Sequence, residues 1–233
     1  MRKLLWIAAA SLAAALGMGR ADAGSIVEYS LTGVPGDTVA VNPTLEADHV
    51  AGMQLVRGGG LLPNTAGNSF NSRGWNTLAT DDYVELGFTV DAGYVATVDQ
   101  FIVATRSSST GPGSVDVNVS VDGGAFQTLA TFLQVTDTFK NSIVDLGLTV
   151  HSSLVLRLMV DMDNPVAARG GAIGATGTFR VSDYLAGGVF SPTRLTGSVS
   201  LAPSAVPEPS SVLLLGGGAF GVVALRVRRR AGR

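Results

Sequence analysis

Apolar and polar residues alternate along the middle of the chain. Val115, Val117, Val119 and Val121 are separated by Asp116, Asn118 and Ser120. A repeat of two puts one set on a buried face and the other in solvent, which predicts a half-buried strand. Asp122-Gly123-Gly124 is a turn sequence, and residues 125–132 are the expected returning strand. Further runs of strand type occupy residues 83–90, 98–105, 154–160 and 178–182, with residues 25–31 and 195–201 as expected terminal strands. Gly111-Pro112-Gly113, Asn164-Pro165 and Gly170-Gly171 punctuate them. Residues 58–73 look like one long surface loop. No segment of this body carries a long 3.6-residue apolar pattern. Many short strands with glycine-rich turns predict an all-β fold, an antiparallel β-sandwich of jelly-roll type in preference to a barrel, over residues 24–201.

The two ends are patterned differently. Arg2 and Lys3 precede an apolar run over residues 4–16, and Ala21-Asp22-Ala23 fits a small-x-small cleavage site. Residues 1–23 therefore read as a secretory signal peptide cut after Ala23 by signal peptidase. The competing reading, a retained membrane helix, is countered by the shortness of the run and by Gly17 and Gly19 after it. At the other end residues 212–225 hold no charge. Fourteen helical residues span about 21 Å, short of a hydrocarbon core of about 30 Å. Ser210, Ser211 and Val227 lengthen the stretch, and snorkelling arginines and bilayer thinning take up the rest. A single transmembrane helix is expected over residues 210–227. Gly217 and Gly221 form a GxxxG pair suited to helix packing, although a plain small-residue anchor accounts for the glycines equally.

Arg226, Arg228, Arg229, Arg230 and Arg233 follow this stretch. Basic residues stay on the cytoplasmic side. The expected tail, residues 228–233, is then cytoplasmic, and the body is exported through the inner membrane to face the periplasm. Arginine clusters also bind nucleic acid, but this one abuts an apolar helix in an exported chain. Residues 202–209 form a linker rich in proline and serine, ending in Val206, Pro207, Glu208 and Pro209.

The order Val-Pro-Glu-Pro-Ser-Ser, glycine-rich apolar helix, arginine cluster resembles the PEP-CTERM sorting signal of Gram-negative bacteria. The resemblance implies that Pro207, Glu208 and Pro209 are recognised by exosortase, a membrane-embedded cysteine protease-like transpeptidase, that the helix is a transient anchor, and that the protein ends at the cell surface or in an exopolysaccharide matrix. Two prolines hold such a segment extended, in a form a processing enzyme can bind. Residues 70–77, 81–90, 106–124 and 154–160 resemble a recurring ectodomain of such proteins. That resemblance implies a jelly-roll outline similar to carbohydrate-binding modules; it carries over the fold and assigns neither an activity nor binding residues.

Composition narrows the chemistry. Residues 24–206 make one domain with enough chain for a real core. With no cysteine, an exported body must be stable without disulfides, and thiol catalysis and cysteine-bound metals are excluded. The body holds 8 Lys+Arg against 16 Asp+Glu, a balance unsuited to nucleic acid. His49, with Glu46 and Asp48, is a candidate acid–base or metal trio, and His151 precedes two serines, but neither lies in a known catalytic spacing. Asp161-Met162-Asp163-Asn164 offers oxygens to a cation or forms a turn. Asp81-Asp82 has the same ambiguity, or caps the strand at Tyr83. Trp75, the one tryptophan of the body, either contacts a ligand or packs in the core; Tyr83, Tyr94 and Tyr184 are equally open. No catalytic residue, metal or cofactor is assigned. The expected function is a non-enzymatic surface or matrix protein. A module binding extracellular polysaccharide is the first alternative, and a secreted hydrolase with two facing carboxylates the second.

Overall fold

A computed structural model describes residues 24–203 apart from 135 and 137. Ala21 and Ala23, the segment Val206, Pro207, Glu208 and Pro209, the helix expected over 210–227 and Arg226, Arg228, Arg229 and Arg230 lie outside the described residues. No helix among the described residues is long and apolar enough to cross a membrane.

The chain opens with β1 (Gly24–Tyr29), then the short strands β2 (Ala40–Val41), β3 (Leu45–Glu46), β4 (Val50–Gly52), β5 (Leu55–Arg57) and β6 (Leu62–Pro63). Next come β7 (Phe70–Arg73), β8 (Tyr83–Val90), β9 (Tyr94–Ser107), β10 (Ser114–Val121) and β11 (Gln127–Leu133). The last part holds β12 (Lys140–Val150), β13 (Ser153–Val160), β14 (Thr178–Ser182), β15 (Tyr184–Ala186), β16 (Val189–Ser191) and β17 (Thr193–Leu201). One sheet runs β3-β1-β17-β9-β14-β7-β6 with β12 on β9, and the other runs β11-β10-β13-β8-β5-β2 with β4 on β8.

Within these sheets lies an inner set of eight strands with neighbours β7-β14-β9-β12 and β8-β13-β10-β11, all antiparallel. Two four-stranded sheets linked in this order have the jelly-roll connection pattern. The all-β sandwich expected from the alternation is therefore present. β9 is long enough to hold two partners end to end on one edge. Its residues 94–102 pair with β17 and residues 104–107 with β14, while β12 takes the opposite edge. At Gly197 the β17 register shifts, with φ at 154°. A Cβ there would lie 1.9 Å from the Thr97 carbonyl oxygen, so only glycine fits.

The core is one apolar cluster between the sheets. It takes the inward set of each alternating strand: Val115, Val117 and Val119 from β10, Leu154, Leu156 and Leu158 from β13, and Val84, Leu86 and Phe88 from β8. Two expectations need correcting. Residues 58–73 are not one surface loop. They contain β6 and β7, and Phe70 is fully buried, because a strand at the sheet rim needs only a few apolar anchors. β12 was not expected at all. It is an edge strand with a register shift between Asp145 and Leu148, and Ile143 lies 51% exposed on its outer side, so the apolar period is broken.

Candidate functional site

Trp75 is fully buried. Its indole N–H donates to the Ser72 carbonyl at 3.0 Å, and its ring meets Phe179 edge-on at 5.4 Å. It packs in the core, the second of the two readings the sequence leaves open, and the possible ligand contact at Trp75 is corrected: the ring presents no face to a ligand. Gly74 and Leu78, both left-handed, bracket the short turn that turns the ring inward.

His49 does not form a trio with Glu46 and Asp48. Its ring stacks on Tyr94 at 3.5 Å and its Nδ1 lies 3.3 Å from Asp91, while the Glu46 carboxylate accepts from the Gly52 N–H. The backbone N–H groups of His151, Ser152 and Ser153 all donate to Asp122. Partial burial raises the Asp122 pKa, but these bonds and the Ser152 hydroxyl outweigh it and hold the carboxyl below its usual value. Asp161 accepts from the N–H groups of Asp163 and Asn164, the turn reading of this segment. Asp82 is buried and accepts from the Ala79 N–H and the Thr77 hydroxyl, closing the turn before β8. Among the described residues no group of three His, Asp or Glu is placed to hold a metal. Two open hollows, one beside Asn42–Gln54 and one between β11 and β12, are each lined by a single carboxylate, Glu46 and Asp145 respectively.

Polar, charged and aromatic side chains meet on the outer face of the sheet that contains β8, β10 and β13. Register aligns Thr128, Asn118, Arg157, Glu85 and Val56 in one row across it, and Thr131, Asp116, Met159 and Tyr83 in the next. These are the outward partners of the core valines and leucines, so the alternation that builds the core also builds this face. Arg157 donates to Glu85 at 2.7 Å. Its guanidinium lies over the Tyr83 ring at 3.9 Å and the Phe126 ring at 4.2 Å, a pair of cation–π contacts. Phe126, in the β10–β11 turn, is 40% exposed. Thr128 donates to Asn118 at 2.6 Å and Thr131 to Asp116 at 2.7 Å. Burial is the main force raising the Asp116 pKa; the Thr131 bond opposes it, and Asp161 and Asp163 add to it. Asp116, Asn118 and Arg157 are visible in the sequence as outward positions. Their alignment into rows, and the reach of Phe126 to Arg157, depend on strand register and were not.

No curated protein matches this chain. Several solved structures of family 29 carbohydrate-binding modules are similar to it. A variant complexed with mannohexaose is 9% identical, with a TM-score of 0.39 over 76% of this chain and 92% of that one. A variant complexed with cellulohexaose is 10% identical, with a TM-score of 0.39 over 77% and 92%. Module CBM29_1 from Piromyces equi is 10% identical, with a TM-score of 0.39 over 76% and 91%. A family model matches the other end of the chain, where three features follow in order: the Pro-Glu-Pro segment, the apolar stretch and the arginine cluster. Residues 205–230 of this chain are a PEP-CTERM protein-sorting motif.

Proposed function

We propose that the chain is exported, held briefly in the inner membrane by its C-terminal helix, and cut at its sorting motif by an exosortase-type enzyme. The freed body is then a non-enzymatic protein of the cell surface or extracellular matrix. The observation that carries this reading is the match of the sorting motif to residues 205–230. The test replaces Pro207, Glu208 and Pro209 together with alanine and follows the protein by cell fractionation. The membrane fraction is expected to become the main pool, at the expense of the surface or secreted pool. An unchanged distribution would contradict the reading.

The non-enzymatic reading draws support from how the candidate groups are engaged. Asp122 and Asp161 are committed to backbone and hydroxyl donors, Asp82 is engaged through Oδ2, and His49 is held by Tyr94 and Asp91. A second reading, polysaccharide binding by the body, is favoured by the Tyr83–Arg157–Phe126 stack among the polar side chains Glu85, Asn118 and Thr128. Sugar rings pack apolar faces on aromatic rings while polar groups take their hydroxyls. On this reading Phe126→Ala weakens binding of a neutral oligosaccharide by about 10-fold, in line with an exposed aromatic contact of ~1.4 kcal/mol. Calorimetric titration with mannohexaose and cellohexaose checks it, and equal affinity for the variant and the parent removes Phe126 from the contact.

A further inference from the structure

The opposite sheet carries a different kind of surface. Phe179 and Val181 of β14 point into the core, so Arg180 between them points outward. Thr105 and Ser107 of β9 are buried, and Arg106 between them points outward as well. Register places Arg180 directly opposite Arg106 on one side and Asn71 on the other. Arg73 follows two residues after Asn71 on the same face of β7 and is exposed. Three guanidinium groups thus share one patch of sheet.

Like charges directly opposite each other destabilise a sheet, and nothing in the described structure relieves these. Neither Arg106 nor Arg180 is within salt-bridge distance of a carboxylate among the described residues. Arg106 donates only through Nε, to the Thr136 carbonyl at 2.8 Å. Its terminal amino groups, and all the donors of Arg180, lack a partner among the described residues. Burial first and Arg106 second hold the Arg180 guanidinium below arginine's usual pKa. The imbalance is the more pointed because acids outnumber bases two to one over residues 24–206.

Beside this patch stands the β15–β16 hairpin. Leu185 pairs with Phe190 across it, and Val189 and Phe190 are 65% and 62% exposed. The hairpin is tied to the sheet by Asn141, which exchanges two hydrogen bonds with the backbone of Leu185. Asn141 is in turn the register partner of Ala104, two residues from Arg106 on β9. Guanidinium donors without a partner among the described residues, next to an exposed apolar wall, match a ligand that carries oxyanions on a framework with apolar faces.

We propose that this face binds an acidic glycan, whose carboxylate or sulfate oxygens are held between Arg106 and Arg180 while its sugar rings run along the β15–β16 hairpin. Arginine's planar fork suits such oxyanions. Arg106 and Arg180 are half-buried on the face of the sheet, so they reach a single polymer chain better than a lipid surface. The site does not depend on where the chain is delivered, so its failure would leave the sorting reading intact.

The test titrates the full chain in detergent with polygalacturonate, dextran sulfate and uncharged dextran, and with vesicles containing phosphatidylglycerol, for the parent and for Arg106→Gln, Arg180→Gln and Arg180→Lys. Affinity for at least one acidic polymer is expected to fall about 10-fold or more in each Gln variant, with Arg180→Lys in between and dextran unbound. Arg180→Gln, which removes one of two opposed cations and no hydrogen bond to a described residue, is also expected to leave Tm unchanged or higher, whereas a merely structural arginine would lower it. Three results overturn the proposal: no binding of either acidic polymer by the parent, equal binding by parent and Gln variants, or an arginine-dependent loss confined to vesicles.

Discussion

Arg57→Leu is expected to destabilise the body by roughly 3–5 kcal/mol, because it takes a half-buried guanidinium from four acceptors and each acceptor left buried and unsatisfied costs about 1–3 kcal/mol. Arg57 sits at the end of β5, with its guanidinium between the two sheets. Nε donates to the Ser72 hydroxyl at 2.9 Å, Nη1 to the Thr38 carbonyl at 2.6 Å, and Nη2 to the carbonyls of Gly36 and Asn71, each at 2.7 Å. The group also lies over the Phe70 ring at 3.7 Å. One side chain therefore ties a strand of one sheet to β7 of the other and to the loop at Gly36 and Thr38. Burial lowers its pKa to about 10 despite the opposing influence of Asp37, so it stays charged at neutral pH. Leucine removes the cost of burying that charge but leaves several acceptors without donors. For a domain of this size the change corresponds to a fall in Tm of roughly 6–20 °C. Denaturant unfolding measures it. Arg57→Lys, which keeps the charge but cannot reach four acceptors, is expected to fall between parent and leucine. A loss below about 1 kcal/mol for Arg57→Leu, the size of an ordinary surface change, would show that the tie is not what holds the sheets.

Asp183→Ala is expected to cost roughly 2–4 kcal/mol, since it strips a buried carboxylate from two backbone donors. Asp183 lies between β14 and β15 and is 4% exposed. It accepts from the N–H of Leu31 at 2.8 Å, the N–H of Thr32 at 3.0 Å and the Thr32 hydroxyl at 2.8 Å. These bonds fasten the residues just after β1 to a segment some 150 positions later, a link whose loop-closure entropy must be overcome on folding. The alanine variant leaves the Leu31 N–H buried without an acceptor. Asp183→Asn keeps one carbonyl and is expected to lose less. Hydrogen exchange gives the local readout: the Leu31 amide is expected to exchange much faster in the alanine variant. Unchanged protection there would mean that the clasp contributes little.

The strands easiest to read in the sequence were those with a buried inner face and a clean turn on each side. Tyr83–Val90 and Thr178–Ser182 have the expected bounds, because Val84, Leu86 and Phe88, or Phe179 and Val181, mark one face unambiguously. β9 extends beyond its expected residues 98–105 at both ends, since it serves three partner strands and pairing continues where the apolar pattern fades. β12 stayed hidden because its outer positions Asn141, Ile143 and Asp145 mix polar and apolar residues at an edge. The chemistry was less legible than the fold. Trp75 sits among Gly74, Asn76 and Thr77, a polar context that suggests exposure, yet the left-handed Gly74 and Leu78 direct it inward. The opposition of Arg106 and Arg180 is a fact of register between strands more than 70 residues apart, which no local pattern encodes. The sorting segment is the reverse case: its information is linear, in the order of a few residue types.

Intact mass of the protein from its native host, with and without the exosortase-type enzyme, tests the sorting claim most directly. In the normal strain the mature protein is expected to lack both residues 1–23 and the arginine cluster Arg226, Arg228, Arg229 and Arg230. In the enzyme-deficient strain it is expected to keep that cluster. If the cluster remains in both strains, the chain is a permanently anchored protein, and Pro207, Glu208 and Pro209 are not a processing signal.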